Sequence, residues 1–119
     1  MPDAGFPVET KSGVPVVVTP EEIDITNAAA LRAVLVETVA GYGTLVVDMS
    51  RTQFCDTAGI HALVAAHRRA AASDGRLLLV TTAVAVQRIF AITGLDQVIA
   101  SFTSLEEALA SASSGIGSG

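Results

Sequence analysis

The segment from Leu45 to Ile60 holds the side chains best placed for chemistry: a hydrophobic run Leu45-Val46-Val47, Asp48, a short polar stretch, then Cys55-Asp56-Thr57-Ala58-Gly59. A thiol, a carboxylate and a hydroxyl stand on three consecutive positions just before a segment of helical period. The Asp-Thr pair is a natural helix N-cap, because a short oxygen-bearing side chain accepts from a free amide of the first turn. A hydroxyl there is also accessible, and the amide-rich helix end tolerates an added anion. From these residues alone the reading is a capped helix.

Catalysis by these residues lacks the necessary partners. Asp56-Thr57-Ala58 is similar to the Asp-Thr-Gly of aspartic proteases, but Ala58 breaks that motif and an all-β protease does not alternate strands with helices. Cys55 follows Phe54 with no neighbouring base, which suits a buried small hydrophobe better than a nucleophile. His61 and His67 are six positions apart, roughly 240 degrees around a helix, so they cannot hold a metal as an i, i+4 pair could. No glycine-rich phosphate loop occurs, and Gly41-Tyr42-Gly43 reads as the end of a helix. The chain is therefore expected to bind rather than catalyse, with no metal or cofactor of its own.

Elements must position this segment. The repeat of Leu31, Val34, Leu35 and Val39 predicts a first helix over about residues 27–40. Ile60, Leu63, Val64 and His67 share one face of a second, ending near Ser73-Asp74-Gly75, with His67 as a partly buried packing residue. Val86, Ile89, Phe90 and Thr93 mark a third, closed by Gly94, and Ser104 with Glu107 opens a fourth in a capping-box pattern. Phe6–Thr10 and Val14–Thr19 should pair as an antiparallel hairpin around Lys11-Ser12-Gly13. Thr44–Met49 and Leu77–Thr81 are nearly continuous apolar runs, as strands covered on both faces require. Val98–Phe102 should form an edge strand.

With 119 residues, a single domain over 1–112 is expected, followed by a disordered tail over 113–119 rich in glycine and serine. Half the residues are hydrophobic and 4% are aromatic, so the core must be built from Ala, Val, Leu and Ile. Seven basic residues against 12 acidic ones give a net charge of −5, the wrong sign for gathering phosphate backbones or an anionic membrane. One cysteine, no basic leader and no apolar run of roughly 20 residues lead to an expected cytoplasmic location. The Arg68-Arg69 pair reads as a solvated helix face.

Three blocks in order carry a wider pattern: Glu22-Ile23-Asp24-Ile25; Val47-Asp48 through Phe54-Cys55-Asp56-Thr57-Ala58-Gly59-Ile60; and Arg88-Ile89-Phe90 through Thr93-Gly94-Leu95 with Glu107-Ala108. Together they resemble the anti-sigma factor antagonists of the STAS family, over residues 8–110. The resemblance implies an α/β fold, a mixed sheet of four or five strands with an N-terminal hairpin and about four flanking helices. It implies a regulator that captures an anti-sigma factor of the serine/threonine kinase type and is released when that kinase phosphorylates Thr57. A metal-dependent protein phosphatase would reset it, and the kinase would supply ATP and magnesium. The partner-binding surface implied is Asp24, Asp56, Thr57, Ala58, Gly59 and His61. The sequence departs from the pattern in threonine for the common serine, in Ala58 for a small hydroxyl residue, in Glu21 for glycine before Asp24, and in His61 for a small residue. His61 reads as a solvated histidine on the face of Thr57. A scaffold or sensor subunit of a signalling assembly, and a small-molecule-binding STAS module, are the alternatives in the same fold.

Overall fold

The computed structural model describes residues 6–117. Strands β1 (Val8–Lys11) and β2 (Val14–Val18) pair antiparallel, with Lys11 opposite Val14. Ser12 and Gly13 both take positive φ, 54° and 79°, the backbone that a two-residue hairpin turn needs to match strand twist. The hairpin is the expected one, beginning at Val8 rather than Phe6, whose side chain is fully buried. All of β1 is exposed, and its Lys11 Nζ lies 3.2 Å from Glu9 Oε1, so charge covers this sheet edge.

The remaining order is β3 (Glu22–Ile23), α1 (Ala28–Tyr42), β4 (Thr44–Met49), β5 (Phe54–Cys55), α2 (Thr57–Ala72), β6 (Arg76–Thr81), α3 (Val84–Thr93), β7 (Ala100–Phe102) and α4 (Leu105–Gly117). The main sheet runs β1-β2-β4-β6-β7, parallel from β2 onward, with Leu45 opposite Leu77 and Val46 opposite Val16. Alternate residues of each central strand feed opposite cores. Val17, Leu45, Val47, Met49, Leu77 and Leu79 meet α1, α2 and α3 through Leu31, Leu35, Leu63, Ala66 and Phe90. On the other face Val16, Val46, Leu78 and Val80 meet Ala108 and Ala112 of α4 alone. Double coverage is why β4 and β6 read as unbroken apolar runs.

Two features differ from expectation. β3 and β5 form a separate two-stranded parallel sheet, and two-residue strands are too short to show a period. The backbone of 113–117, expected to begin a disordered tail, continues α4, because a helix already nucleated adds one hydrogen bond for each further residue. Residues 118 and 119 of that expected tail lie outside the described residues. At the start of α4, Glu107 N donates to Ser104 Oγ at 3.1 Å, half of the capping box, while the Glu107 carboxylate accepts from Thr103 Oγ1 instead.

Candidate functional site

The loops leaving β2 and β4 are joined by a buried pair of hydroxyls. Thr52 Oγ1 donates to Pro20 O at 2.6 Å and lies 2.6 Å from Thr19 Oγ1, which therefore supplies the proton between them. Both threonines are fully buried. Directly beyond, Gln53 N and Phe54 N donate to Glu21 O at 2.7 and 3.3 Å, and Glu21 needs no left-handed backbone for this. These contacts set β3 beside β5, with Ile23 opposite Cys55 and Asp56 N donating to Ile23 O at 3.1 Å. Asp24 and Asp56 thus each sit one residue past paired strand ends.

Asp24 is held by its own turn. Its carboxylate accepts from the Thr26 amide at 2.9 Å and from the Thr26 hydroxyl, while Asn27 Oδ1 accepts from Asp24 N at 2.9 Å and Asn27 Nδ2 donates to Glu22 O at 2.9 Å. The Thr26 hydroxyl first, and its amide second, hold the Asp24 carboxyl below its usual value. Asp24 O also accepts from Ala28 N at 2.9 Å, so this residue orders the entry to α1 as well as presenting a charge.

Asp56 is the N-cap of α2, with extended backbone and Oδ1 accepting from Gly59 N at 3.2 Å. Thr57, the first residue of the helix, is exposed, and its hydroxyl has no partner among the described residues. Ala58 is half-buried and Gly59 is buried against Cys55 and Ile23. His61 is exposed one turn after Thr57 and lines a shallow hollow of about 210 Å³ with Ala28, Ala29, Arg32, Ala58 and Ala62. Cys55 is fully buried, and burial, reinforced by the charge of Asp56, pushes its thiol up to about 12. A thiol so protonated is a core group, not a nucleophile.

His67 is half-buried and does not line the hollow beside His61. Among the described residues no three His, Cys, Asp or Glu side chains gather as metal ligands, and no helix is long and apolar enough to cross a membrane. The structure thus brings Asp24, Asp56, Thr57, Ala58 and His61 together near neighbouring strand and helix ends, with Gly59 buried beneath them rather than on the surface, and the Thr57 hydroxyl there has no partner among the described residues.

The sequence profile of the STAS domain matches residues 6–108. The chain belongs to the STAS domain family. No curated protein matches the sequence significantly. Among solved structures, an anti-sigma factor antagonist from Mycobacterium paratuberculosis is 31% identical with a TM-score of 0.83, covering 94% of this chain and 97% of that one. A STAS domain protein from Planctomyces limnophilus is 18% identical with a TM-score of 0.83, covering 91% and 97%. The Bacillus cell fate determinant SpoIIAA in its phosphorylated form is 22% identical with a TM-score of 0.67, covering 87% and 96%.

In this STAS domain the sequence reading missed three supports of the site. The Thr19–Thr52 pair joins residues 33 apart and shows no local signal. Ile25 is 79% exposed and Phe54 46% exposed, two apolar side chains left in solvent beside Asp24 and Asp56. A signal existed for Ile25, an isolated apolar residue between Asp24 and Thr26 outside any periodic run.

Proposed function

We propose that this STAS domain is an anti-sigma factor antagonist: unmodified, it binds an anti-sigma factor of the serine/threonine kinase type and so frees a sigma factor for transcription. The observation that carries this is the Thr57 hydroxyl, without a partner among the described residues and exposed on the first turn of α2 next to the Asp56 cap, with β5 paired to the β3 strand that precedes Asp24. Exposed Ile25 and Phe54 supply the apolar centre that a protein interface requires, and Asp24 and Asp56 its charge. The domain supplies no catalysis of its own.

In the proposed transfer, the Thr57 oxygen attacks the γ-phosphorus of ATP held with magnesium by the partner kinase. A P–O bond forms at Thr57, the bond to ADP breaks with ADP as leaving group, and the hydroxyl proton passes to the partner or to water. The dianion rests on the helix N-terminus, so the fold persists while the fitted surface gains about two negative charges. At an effective dielectric near 20, two unit charges about 5 Å apart interact by roughly 3 kcal/mol, which after screening still weakens binding by a decade or more. Hydrolysis by a metal-dependent phosphatase restores the hydroxyl.

Co-purification identifies the partner as an ATP-binding anti-sigma factor on this reading, and incubation with it and ATP adds one phosphate, located at Thr57 by peptide mass spectrometry. Modification at another residue, or equal affinity of the kinase for both forms, refutes the switch.

A further inference from the structure

On α2, Arg68 stands 11 residues after Thr57, about three full turns, so it returns to the face of the acceptor hydroxyl, and Ala65 and Arg69 line the same groove beside it. Arg32 and Val36, one turn apart on α1, face the same channel. Arg32, Val36, Ala65, Arg68 and Arg69 line a groove of about 450 Å³ between the two helices, and Arg32 also lines the hollow that holds Ala58 and His61. Through Arg32 the groove adjoins the hollow of Ala58 and His61, the residues next to Thr57 and one turn after it, and Arg69 lies about 18 Å along the helix axis from Thr57, the rise of 12 helical residues.

The charge of this groove is opposite to that of the chain. It collects three of the seven basic residues of a protein whose net charge is −5, and no carboxylate lines it; Glu37 lies in the adjoining hollow with Arg32 and Val36. None of the three guanidiniums has an ion pair or hydrogen bond among the described residues. An arginine fork is built for bidentate contact with an oxyanion, and the floor of Val36 and Ala65 accepts aliphatic carbons beside it.

We infer that the α1–α2 groove docks an acidic segment of the captured partner protein, with carboxylates on Arg32, Arg68 and Arg69. The inference rests on the proposed capture of an anti-sigma factor, because the groove adjoins the surface where that partner would sit. A polynucleotide does not fit: three arginines cannot offset the repulsion between a long polyanion and a chain of net charge −5. The resulting footprint is polar along its length, acidic at Asp24 and Asp56 and basic at the far end of α2, which fixes the direction in which the partner lies.

The groove is tested first without the partner. A short acetylated peptide of alternating Glu and Leu, titrated into 15N-labelled full-length protein at about 50 mM salt, should shift the amides of Arg32, Val36, Ala65, Arg68 and Arg69. Affinity should fall at least about tenfold in the double variant Arg68→Glu with Arg69→Glu, with unchanged circular dichroism. No shifts, shifts confined to other elements, or an equal response to a thymidine oligonucleotide of the same charge would overturn the inference. With the co-purified anti-sigma factor, the double variant should likewise bind about tenfold more weakly, and unchanged affinity sinks the groove even if Asp24→Lys abolishes binding. If instead neither Asp24→Lys nor phosphorylation alters partner affinity, the proposed function fails, and the peptide titration still decides the groove.

Discussion

A Cβ on residue 59 would lie 2.7 Å from Cγ2 of Ile23 and 2.6 Å from Sγ of Cys55, so the first turn of α2 touches β3 and β5 only because residue 59 is glycine. Both neighbours are fully buried, so neither can swing out into solvent to make room. Gly59→Ala gains about 1 kcal/mol in helix propensity, but overpacking costs roughly 1–3 kcal/mol, so a net loss of up to about 2 kcal/mol is expected. Combining it with Cys55→Ala removes one clash, and chemical denaturation should show the double variant losing less than the sum of the two single changes.

The Thr19–Thr52 pair should behave as a coupled unit. Thr52→Val removes the donor to Pro20 O and leaves Thr19 Oγ1 only its 3.4 Å contact with Asp48 O, which costs about 1–3 kcal/mol. Replacing both threonines by valine removes two polar groups at once and should cost less than the two single losses together. Because this pair ties the loop before β3 to the loop before β5, hydrogen exchange at Ile23 and Asp56 should accelerate in Thr52→Val before the global fold is lost.

The thiol of Cys55 should resist alkylation until the protein unfolds. Its value in the folded protein is about 12, above the roughly 8.5 of an unfolded chain, so between these the native state binds more protons than the unfolded one. Stability attributable to this group is complete below about pH 8.5 and falls by up to about 1.4 kcal/mol per pH unit as pH rises toward the folded value. Urea titrations of the wild type and Cys55→Ala across this alkaline range should converge, and parallel curves would contradict the burial of the thiol.

Thr26 favours the ionised form of Asp24 and so lowers the pH at which its carboxyl takes up a proton. In Thr26→Ala the Asp24 carboxyl should titrate closer to its ordinary value, which side-chain carbon shifts in NMR report directly. The sign follows from the lowered value: the favourable contacts of the carboxylate are present above the ordinary carboxylate range and disappear as pH falls through the folded value. Asp24→Lys should weaken partner binding by about 1–3 kcal/mol without unfolding the chain, and unchanged affinity would remove Asp24 from the interface.

Thr57→Ala should bind the anti-sigma factor as the wild type does and refuse phosphate, since it loses only an exposed hydroxyl that has no partner among the described residues. Thr57→Glu should bind at least about tenfold more weakly, because it places a charge where the fitted surface meets a neutral group. Calorimetry on both variants checks the pair.

Periodicity and end signals are local, which is why the four helices, the hairpin and both central strands could be read from residue spacing: Leu31 to Val39, Ile60 to Leu63 and the runs at Thr44 and Leu77 each bury a face that the pattern already marks. A cap at the Asp56-Thr57 pair was equally legible, since it needs only the chain on either side of it, and the structure selects Asp56 of the two. The placing of β2 beside β4, β4 beside β6 and β6 beside β7, the assignment of α4 alone to one face, and the two-residue strands β3 and β5 depended on contacts between residues 22 or more apart, which no local pattern encodes. The same holds for Arg32 and the Arg68-Arg69 pair, three charges that look like ordinary solvated positions in sequence. Sequence alone determined that a capped hydroxyl would open the second helix; packing α1 against α2 decided what surface lies beside it, because only there do side chains from separate helices come within reach of one another.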